Sequence, residues 1–368
     1  MILTSWEEKP MSCNFGNNIK ITIFGQSHSD AIGVVIDGLP AGFRLDMKKI
    51  ADFMARRAPG QNDLSTPRKE ADEAKILSGV VDDVICGAPL CAVIENTNTR
   101  SGDYDKLRAL PRPSHSDYAA MMKHNGFNDI RGGGNFSGRL TAPLCFAGAV
   151  CMQMLETKGI RIGAHISSIG KANDKRFDPV NVCADDFEAL LKKSFPVIDE
   201  TQGEYMRKEI YDAKGNGDSV GGTIECAIVG MPAGIGDPIF DGIENRISCA
   251  VFGIPAIKGI EFGAGFESAK MTGSENNDDF VIRDGKIATA TNNHGGILGG
   301  ISSGMPIIFR CAVKPTPSIA KEQQSVNIGT GCEEKLAIGG RHDPCIVPRA
   351  VPCVEAAAAI VIADYLMR

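Results

Sequence analysis

Two stretches limit the folds open to this chain more than any other: RLTAPLCFAGAVCMQMLET at 139–157 and AVPCVEAAAAIVIADYL at 350–366. Both read as helices, and both are apolar on nearly every face. A helix with one apolar stripe lies on a surface, whereas a helix apolar all round is buried on more than one side. Both segments are built from small residues, so neighbours can approach closely. They predict helices inside the molecule with sheets outside them. No window reaches the roughly 18 uninterrupted apolar residues of a membrane span.

The sheets have their own signals. Strands are expected at 19–24 and 31–37, then at 75–81 and 89–95, and later at 220–229, 256–262, 280–289 and 305–312. MKKIADFMARR at 47–57 reads as a helix with Ile50, Phe53 and Met54 on one face, stopped by Pro59-Gly60. Residues 61–72 are polar and turn-rich, a candidate mobile loop, and 180–216 is charged, helical and peripheral. A length of 368 residues allows one large α/β unit or two smaller ones.

Composition excludes some partners. The net charge of −6 argues against wholesale binding to nucleic acid or to an anionic membrane, so an anionic ligand needs a local basic patch. The twelve cysteines are scattered without a CxxC pair, and many sit in apolar runs. They read as reduced structural thiols of a cytoplasmic protein. MILTSWEEKP carries no apolar signal core, so residues 1–10 read as a loose extension before Met11.

Chemistry concentrates in a few loops. The strand ITIF runs into Gly25-Gln26-Ser27-His28-Ser29-Asp30, and a second loop reads Ser114-His115-Ser116-Asp117. Each histidine has serine on both sides and aspartate two residues on. Either histidine reads as a loop or cap residue, with Ser114 or Ser116 capping the helix that follows, or as a proton donor and acceptor at cellular pH. RGGGNFSGR at 131–139 exposes backbone N–H groups between arginines before a long helix, an anion seat. VKPTPSI at 313–319 offers a lysine and two hydroxyls between rigid prolines. Arginines 56, 57, 68, 112, 131, 139, 341 and 349 stand at turns or element ends, where a planar guanidinium suits phosphate and carboxylate. Zinc-type spacings, a G-x-S-x-G elbow, a P-loop and a Rossmann fingerprint are all missing, so no metal is expected.

Taken in order, these blocks resemble the chorismate synthase family from about Met11 to the C-terminus. GQSHS at 25–29 stands where the family has Gly-Glu-Ser-His-Gly. RRAPG at 56–60, KILSGV at 75–80, ENTNTRSGDY at 95–104, RPSHSDY at 112–118, GGILGGISSGMPI at 295–307, KPTPSI at 314–319 and GRHDPC at 340–345 follow. The resemblance implies an α+β sandwich, central helices between antiparallel β-sheets, as one catalytic domain over 11–368. It implies a homotetramer and a lyase that removes phosphate from 5-enolpyruvylshikimate 3-phosphate by 1,4-anti elimination with reduced FMN. NADPH would serve only as an indirect reductant, because the long insertions of bifunctional members are missing.

By position, the resemblance makes His115 the acid at the leaving phosphate, and places His28 beside the flavin. It has Asp343 take part in proton removal, with Ser27 and Ser137 as hydrogen-bond relays. Arg57, Arg68, Arg112 and Arg139 would bind substrate. Asn135, Phe136, Ser137, Ala256, Gly299, Lys314, Pro315, Thr316, Pro317, Ser318 and Arg341 would hold FMN. The chain departs from the pattern at Gln26, Ser29, Asp63, Asn135, Phe136, Gly138 and Leu140, with one residue inserted around His124 to Phe127. Those departures keep two alternatives open: a flavin- or phosphate-binding module without turnover, and a diverged lyase for another phosphorylated cyclic acid.

Overall fold

A computed structural model describes residues 13–60, 72–97, 108–339 and 343–367. The first half builds one antiparallel sheet from β1 (Asn14–Phe15), β2 (Lys20–Gly25), β3 (Ala31–Asp37), β4 (Lys75–Ser78) and β7 (Leu90–Glu95), in the order β1-β2-β3-β7-β4. A small hairpin, β5 (Val80–Val81) with β6 (Val84–Ile85), stands at its edge. The second half builds another antiparallel sheet from β8 (Arg161–Ile169), β9 (Ala172–Asn173), β10 (Gly222–Val229), β11 (Ile257–Phe262) and β16 (Ile307–Val313), in the order β11-β16-β10-β8-β9. Three further hairpins project from this frame: β12–β13 (Phe280–Arg283 and Lys286–Thr289), β14–β15 (Ile297–Leu298 and Ile301–Ser302) and β17–β18 (Gln323–Asn327 and Cys332–Leu336).

Helices fill the space between the sheets, as their all-round apolarity requires. α1 (Met47–Arg57) and α2 (Asp117–Lys123) precede α3 (Thr141–Glu156), and α4 (Ala184–Leu191), α5 (Glu200–Gly215), α6 (Ile243–Phe252) and the short α7 (Gly273–Asn276) precede α8 (Val347–Leu366). α3 packs on β2, β3 and β7; α8 packs on β8 and β10; and the two helices pack on each other. Small residues permit that contact. A Cβ placed on Gly148 would lie 2.3 Å from the Ala356 Cβ, so only glycine fits there. One hydrophobic cluster runs through both sheets and the central helices. α4 and α5 contact β8 outside the helical layer, with Phe187 and Leu190 of α4 buried.

The buried helix α8 carries two carboxylates, and both are satisfied. Glu355 accepts from Arg56 Nη1 at 2.5 Å and Nη2 at 2.9 Å, and from the Ala164 N–H at 2.9 Å. Asp364 accepts from the Ile19 N–H at 2.8 Å and from Arg246 Nη2 at 2.6 Å. An unpaired buried carboxylate would cost several kcal/mol. Here the same groups tie the last helix to both sheets.

β8 lies outside every strand expected from the sequence, and so does the β17–β18 hairpin. RIGAHISSI is buried along nearly its whole length, because helices cover it on both faces. His165 and two serines break its apolar pattern. The expected 280–289 strand is instead the β12–β13 hairpin, turned at Asp284-Gly285 where both residues have positive φ. Ser116 does stand at the N-cap of α2, but its side chain makes no capping hydrogen bond.

Candidate active site

A cavity of about 720 Å³ opens where the ends of α1 and α8, the 131–140 turns and the end of β16 converge. That volume lies in the range of small-molecule sites. Six cations line it: Arg57, Arg112, Arg139, Lys258, Lys314 and Arg349. Asp343 is the carboxylate among its described lining residues. An overall acidic chain thus has the local basic patch an anion would need.

The arginines are held, not loose. Arg57 ends α1 and is buried; its Nε donates to Thr141 Oγ1 at 3.1 Å and its Nη2 to the Gly138 carbonyl at 3.3 Å. Arg139 is buried too, with Nε donating to Asn96 Oδ1 at 3.0 Å. Asp72 pairs with both guanidinia at once. Burial works against its ionisation, but Arg57 and Arg139 outweigh it and hold the carboxyl below its ordinary range. Arg349 donates from Nη1 to Asp343 Oδ2 at 2.5 Å and from Nε to the Arg57 carbonyl at 3.0 Å.

His115 forms a second unit. Its Nδ1 lies 2.6 Å from Asp117 Oδ1. A carboxylate only accepts, so this contact puts the proton on Nδ1. Arg112 Nη2, 3.1 Å from the same nitrogen, then makes its hydrogen bond to Asp117 Oδ1 at 2.8 Å, while Arg112 Nε donates to Oδ2 at 2.7 Å. Burial would raise the Asp117 carboxyl, yet Arg112 and His115 hold it far below the usual range. The other ring nitrogen faces Gly133: a Cβ there would sit 3.2 Å from His115 Nε2. Gly133 has φ +86°, a backbone conformation that favours glycine.

The RGGGNFSGR stretch does not form the helix N-terminus its sequence suggests. Gly132, Gly133 and Gly134 all take non-helical backbone angles, and two short 3-10 turns lead into α3. Gly132 lines the cavity and presses against the first histidine loop. A Cβ on it would lie 2.3 Å from Ser27 Oγ and 2.5 Å from His28 Nδ1. Ser27 is buried, and its N–H donates to the Gly134 carbonyl at 3.2 Å. Ser27 and His28 therefore stand behind the glycine wall. Ser137 lines the cavity, and its Oγ accepts from the Arg139 N–H at 3.2 Å. Asn135 and Phe136 line it as well, and they also face a side pocket of about 400 Å³ that reaches Gln26 and Phe127.

The KPTPS stretch supplies the opposite wall. Lys314 Nζ donates to the Ser114 carbonyl at 2.9 Å, and burial with the nearby Lys258 charge pushes its pKa down. Ser318 Oγ accepts from Arg112 Nη1 at 3.2 Å. Thr316 Oγ1 is buried without a hydrogen-bond partner. Such an orphan on a cavity wall marks a place for a ligand oxygen or nitrogen. Ala256 lines the cavity at φ +77°, its carbonyl accepting from the Lys314 N–H at 2.9 Å. Pro315 is not among the lining residues.

Gly299 does not join this cavity. It sits exposed in the β14–β15 turn, because the glycine-rich 292–304 stretch folds into its own hairpin beside Gly236. Arg68 and Arg341 lie outside the described residues, as does Asp63. Sequence reasoning missed Asp72 and Lys258, and left Asp117 and Arg349 without a role. The Asp72 unit was invisible because its partners meet only in the fold: Asp72 is 67 residues from Arg139.

The match to known proteins runs the length of this architecture. A family model described as chorismate synthase covers residues 19–367. The chain belongs to the chorismate synthase family. It is 45% identical to the chorismate synthase of Lancefieldella parvula, over 97% of this chain and 96% of that protein. It is 44% identical to that of Dehalococcoides mccartyi, covering 97% of each, and 44% identical to that of Korarchaeum cryptofilum, covering 96% and 97%. A crystal structure of chorismate synthase aligns with TM-score 0.74 at 28% identity, over 96% of this chain and 92% of that one. Its central helices between antiparallel sheets are the architecture that the resemblance implied. Membership makes this chain an enzyme, a lyase of chorismate formation.

Proposed function

We propose that the 720 Å³ cavity takes 5-enolpyruvylshikimate 3-phosphate together with reduced FMN and releases phosphate by 1,4-anti elimination. The observation that carries this reading is His115, backed by Asp117 through Nδ1, on the wall of a cavity lined by six cations. Phosphate departs as an anion, so cations and a proton donor beside it lower the barrier. Protonated on both nitrogens, His115 gives its Nε2 proton to the leaving group while Asp117 keeps hold of Nδ1. Arg57 and Arg139, fixed by Asp72, and Arg112, fixed by Asp117, bind the substrate's anionic groups. Asp343, paired with Arg349 on the cavity wall, is the carboxylate for proton removal.

The residues lining the cavity fit a flavin phosphate and ring system. The unpartnered Thr316 hydroxyl, with Lys314, Pro317, Ser318, Ala256 and the Asn135–Ser137 turn, would hold FMN. When bound, reduced FMN supplies the transient electron and the proton acceptor that an anti elimination needs. Ser27 and His28 act through Gly132, steadying that side of the pocket, with Ser137 as a hydrogen-bond relay. Arg68 and Arg341 belong to the same substrate and flavin shells, and an external reductant, not NADPH bound to this chain, supplies electrons.

Residues 11–368 act as one catalytic domain, supported by the single core that joins both sheets. The assembly is a homotetramer. Its support is the apolar surface left open on one chain: Phe240 is 87% exposed, Phe266 80%, and Ile282 and Ile287 of the β12–β13 hairpin 74% each. The compartment is the cytoplasm, consistent with twelve free cysteines and with no described helix long and apolar enough to cross a membrane.

The test is anaerobic turnover with photoreduced FMN, following chorismate absorbance and phosphate release together. Equal rates of both establish the reaction. FMN binding without product would replace it with the diverged lyase, since Asn135 and Phe136 do line the cavity.

A further inference from the structure

At the cavity wall lies a thiol, with a second directly behind it, that the elimination does not use. Cys353 lines the cavity from the second turn of α8, and Cys145 lies behind it in the second turn of α3. Their sulfurs are 3.7 Å apart, with the Cys145 thiol donating to Cys353 Sγ. Both side chains are almost completely buried from solvent. The two helices run side by side in the same direction, since Gly148 meets Ala356 three residues further along each. Closing the gap to a disulfide takes a movement of about 1.6 Å.

The surroundings separate the two sulfurs chemically. The hydrogen bond from Cys145 is the largest influence pulling the Cys353 thiol down; burial opposes it, and Arg57, Thr141 and Arg349 add to it. Burial pushes Cys145 well above the ordinary range. A thiolate beside guanidinia with a neighbouring thiol as partner is the arrangement of an attacking and a resolving cysteine.

We propose that Cys353 and Cys145 form an oxidisable dithiol site, in which peroxide entering the cavity converts the pair to a disulfide and stops turnover. The Cys353 thiolate attacks one oxygen of hydrogen peroxide. A sulfur–oxygen bond forms, the oxygen–oxygen bond breaks, and the departing hydroxide takes up a proton to leave as water. Cys145 sulfur then attacks the Cys353 sulfenic acid. The sulfur–sulfur bond forms, the sulfur–oxygen bond breaks, and the hydroxide leaves with the Cys145 proton as a second water. The two sulfurs lose two electrons in all, and the peroxide gains two. Turnover stops because drawing α3 and α8 together shifts Thr141, which holds Arg57, and Arg349, which holds Asp343. This consequence for activity rests on the proposed function; the site itself does not.

The experiment treats the purified, flavin-free full chain with hydrogen peroxide, traps remaining thiols, and digests it with trypsin without reductant. The expected product is a disulfide between peptides 140–158 and 350–368 that dithiothreitol reverses. Because the first peptide also carries Cys151, two variants locate the bond. Cys145→Ser must abolish the link, and Cys151→Ser must keep it; Cys145→Ala serves if the serine variant melts early. In Cys145→Ser, Cys353 should instead carry a dimedone-trappable sulfenic acid. After flavin and substrate are restored, wild-type elimination should fall in proportion to the linked fraction and return on reduction.

Oxidation of the exposed Cys86 or Cys249 with no 145–353 link overturns the proposal, as does a link that survives Cys145→Ser. A link that leaves the elimination rate unchanged removes the control of turnover. A link formed in a chain that never releases phosphate would instead overturn the functional reading and leave the site standing.

Discussion

His115 and His165 each touch a carboxylate, and of these two only one is placed for chemistry. His115 holds Asp117 through Nδ1, and its side chain keeps 16% exposure on a cavity wall. His165, in the middle of β8, has none. Its Nδ1 meets Asp174 at 3.2 Å and its Nε2 meets Glu225 at 3.0 Å, so both nitrogens are consumed. Phe177 packs edge-on against its ring, with centroids 4.6 Å apart. The second carboxylate of the buried cluster, Glu225, also accepts from the Phe177 N–H at 2.7 Å and pairs with Arg310. The difference lies in the surroundings. Where both nitrogens meet acceptors inside the core, histidine joins two strands; on a cavity wall, with one nitrogen left to it, histidine can move a proton.

Substitutions can break this contrast, and the largest effect belongs to the buried residue. His165→Ala takes from the buried Asp174 and Glu225 the ring they share and should cost about 3–5 kcal/mol of stability. Urea unfolding would read it, and the protein that remains folded should keep its elimination rate. A loss of rate per folded molecule would contradict the separation of the two sites.

His115→Ala should do the reverse. Elimination should fall by roughly 100-fold or more, the scale for losing a general acid, with an unchanged urea midpoint. Full activity would remove His115 from the proton transfer. Asp117→Asn should give a smaller loss of rate, because an amide carries no charge to hold the imidazole and also loosens Arg112. An unchanged rate would reduce Asp117 to a packing role.

The smallest effect sharpens the comparison through pH. Burial would lower the His165 pKa, but hydrogen bonds to Asp174 and Glu225 outweigh it, so it is raised above its ordinary value of 6.5. That contribution to stability is fully present below 6.5 and is lost as pH rises through the folded value. For Asp174 and Glu225 burial opposes ionisation, yet His165 and backbone donors prevail and lower both from 3.8 and 4.5. Their contribution is present above those values and is lost as pH falls. The cluster should therefore stabilise the fold most between about pH 4.5 and 6.5. Melting temperatures across pH for wild type and His165→Gln should diverge most inside that window. Parallel curves would mean the cluster does not titrate with folding.

Much of this frame is legible in the sequence. The helix expected over 47–57 forms over Met47–Arg57, and the strand pair around the first histidine loop lies close to its expected bounds. Local pattern suffices there because one face of each element is buried and the other is not. β8 resisted reading because both its faces are covered, so its burial leaves no alternation and its histidine looks like a surface residue. Gly299 misled because a glycine-rich run signals backbone freedom without saying what approaches it.

The sequence by itself determined the central helices, the family and the residue types of the site, since apolarity, turn chemistry and motif order are written along the chain. Tertiary structure decided which charges neutralise one another. Asp72 meets Arg139 across 67 residues, and Glu225 meets His165 across 60. Coulomb energy and desolvation depend on distance and burial, and neither exists until the strands and helices are packed.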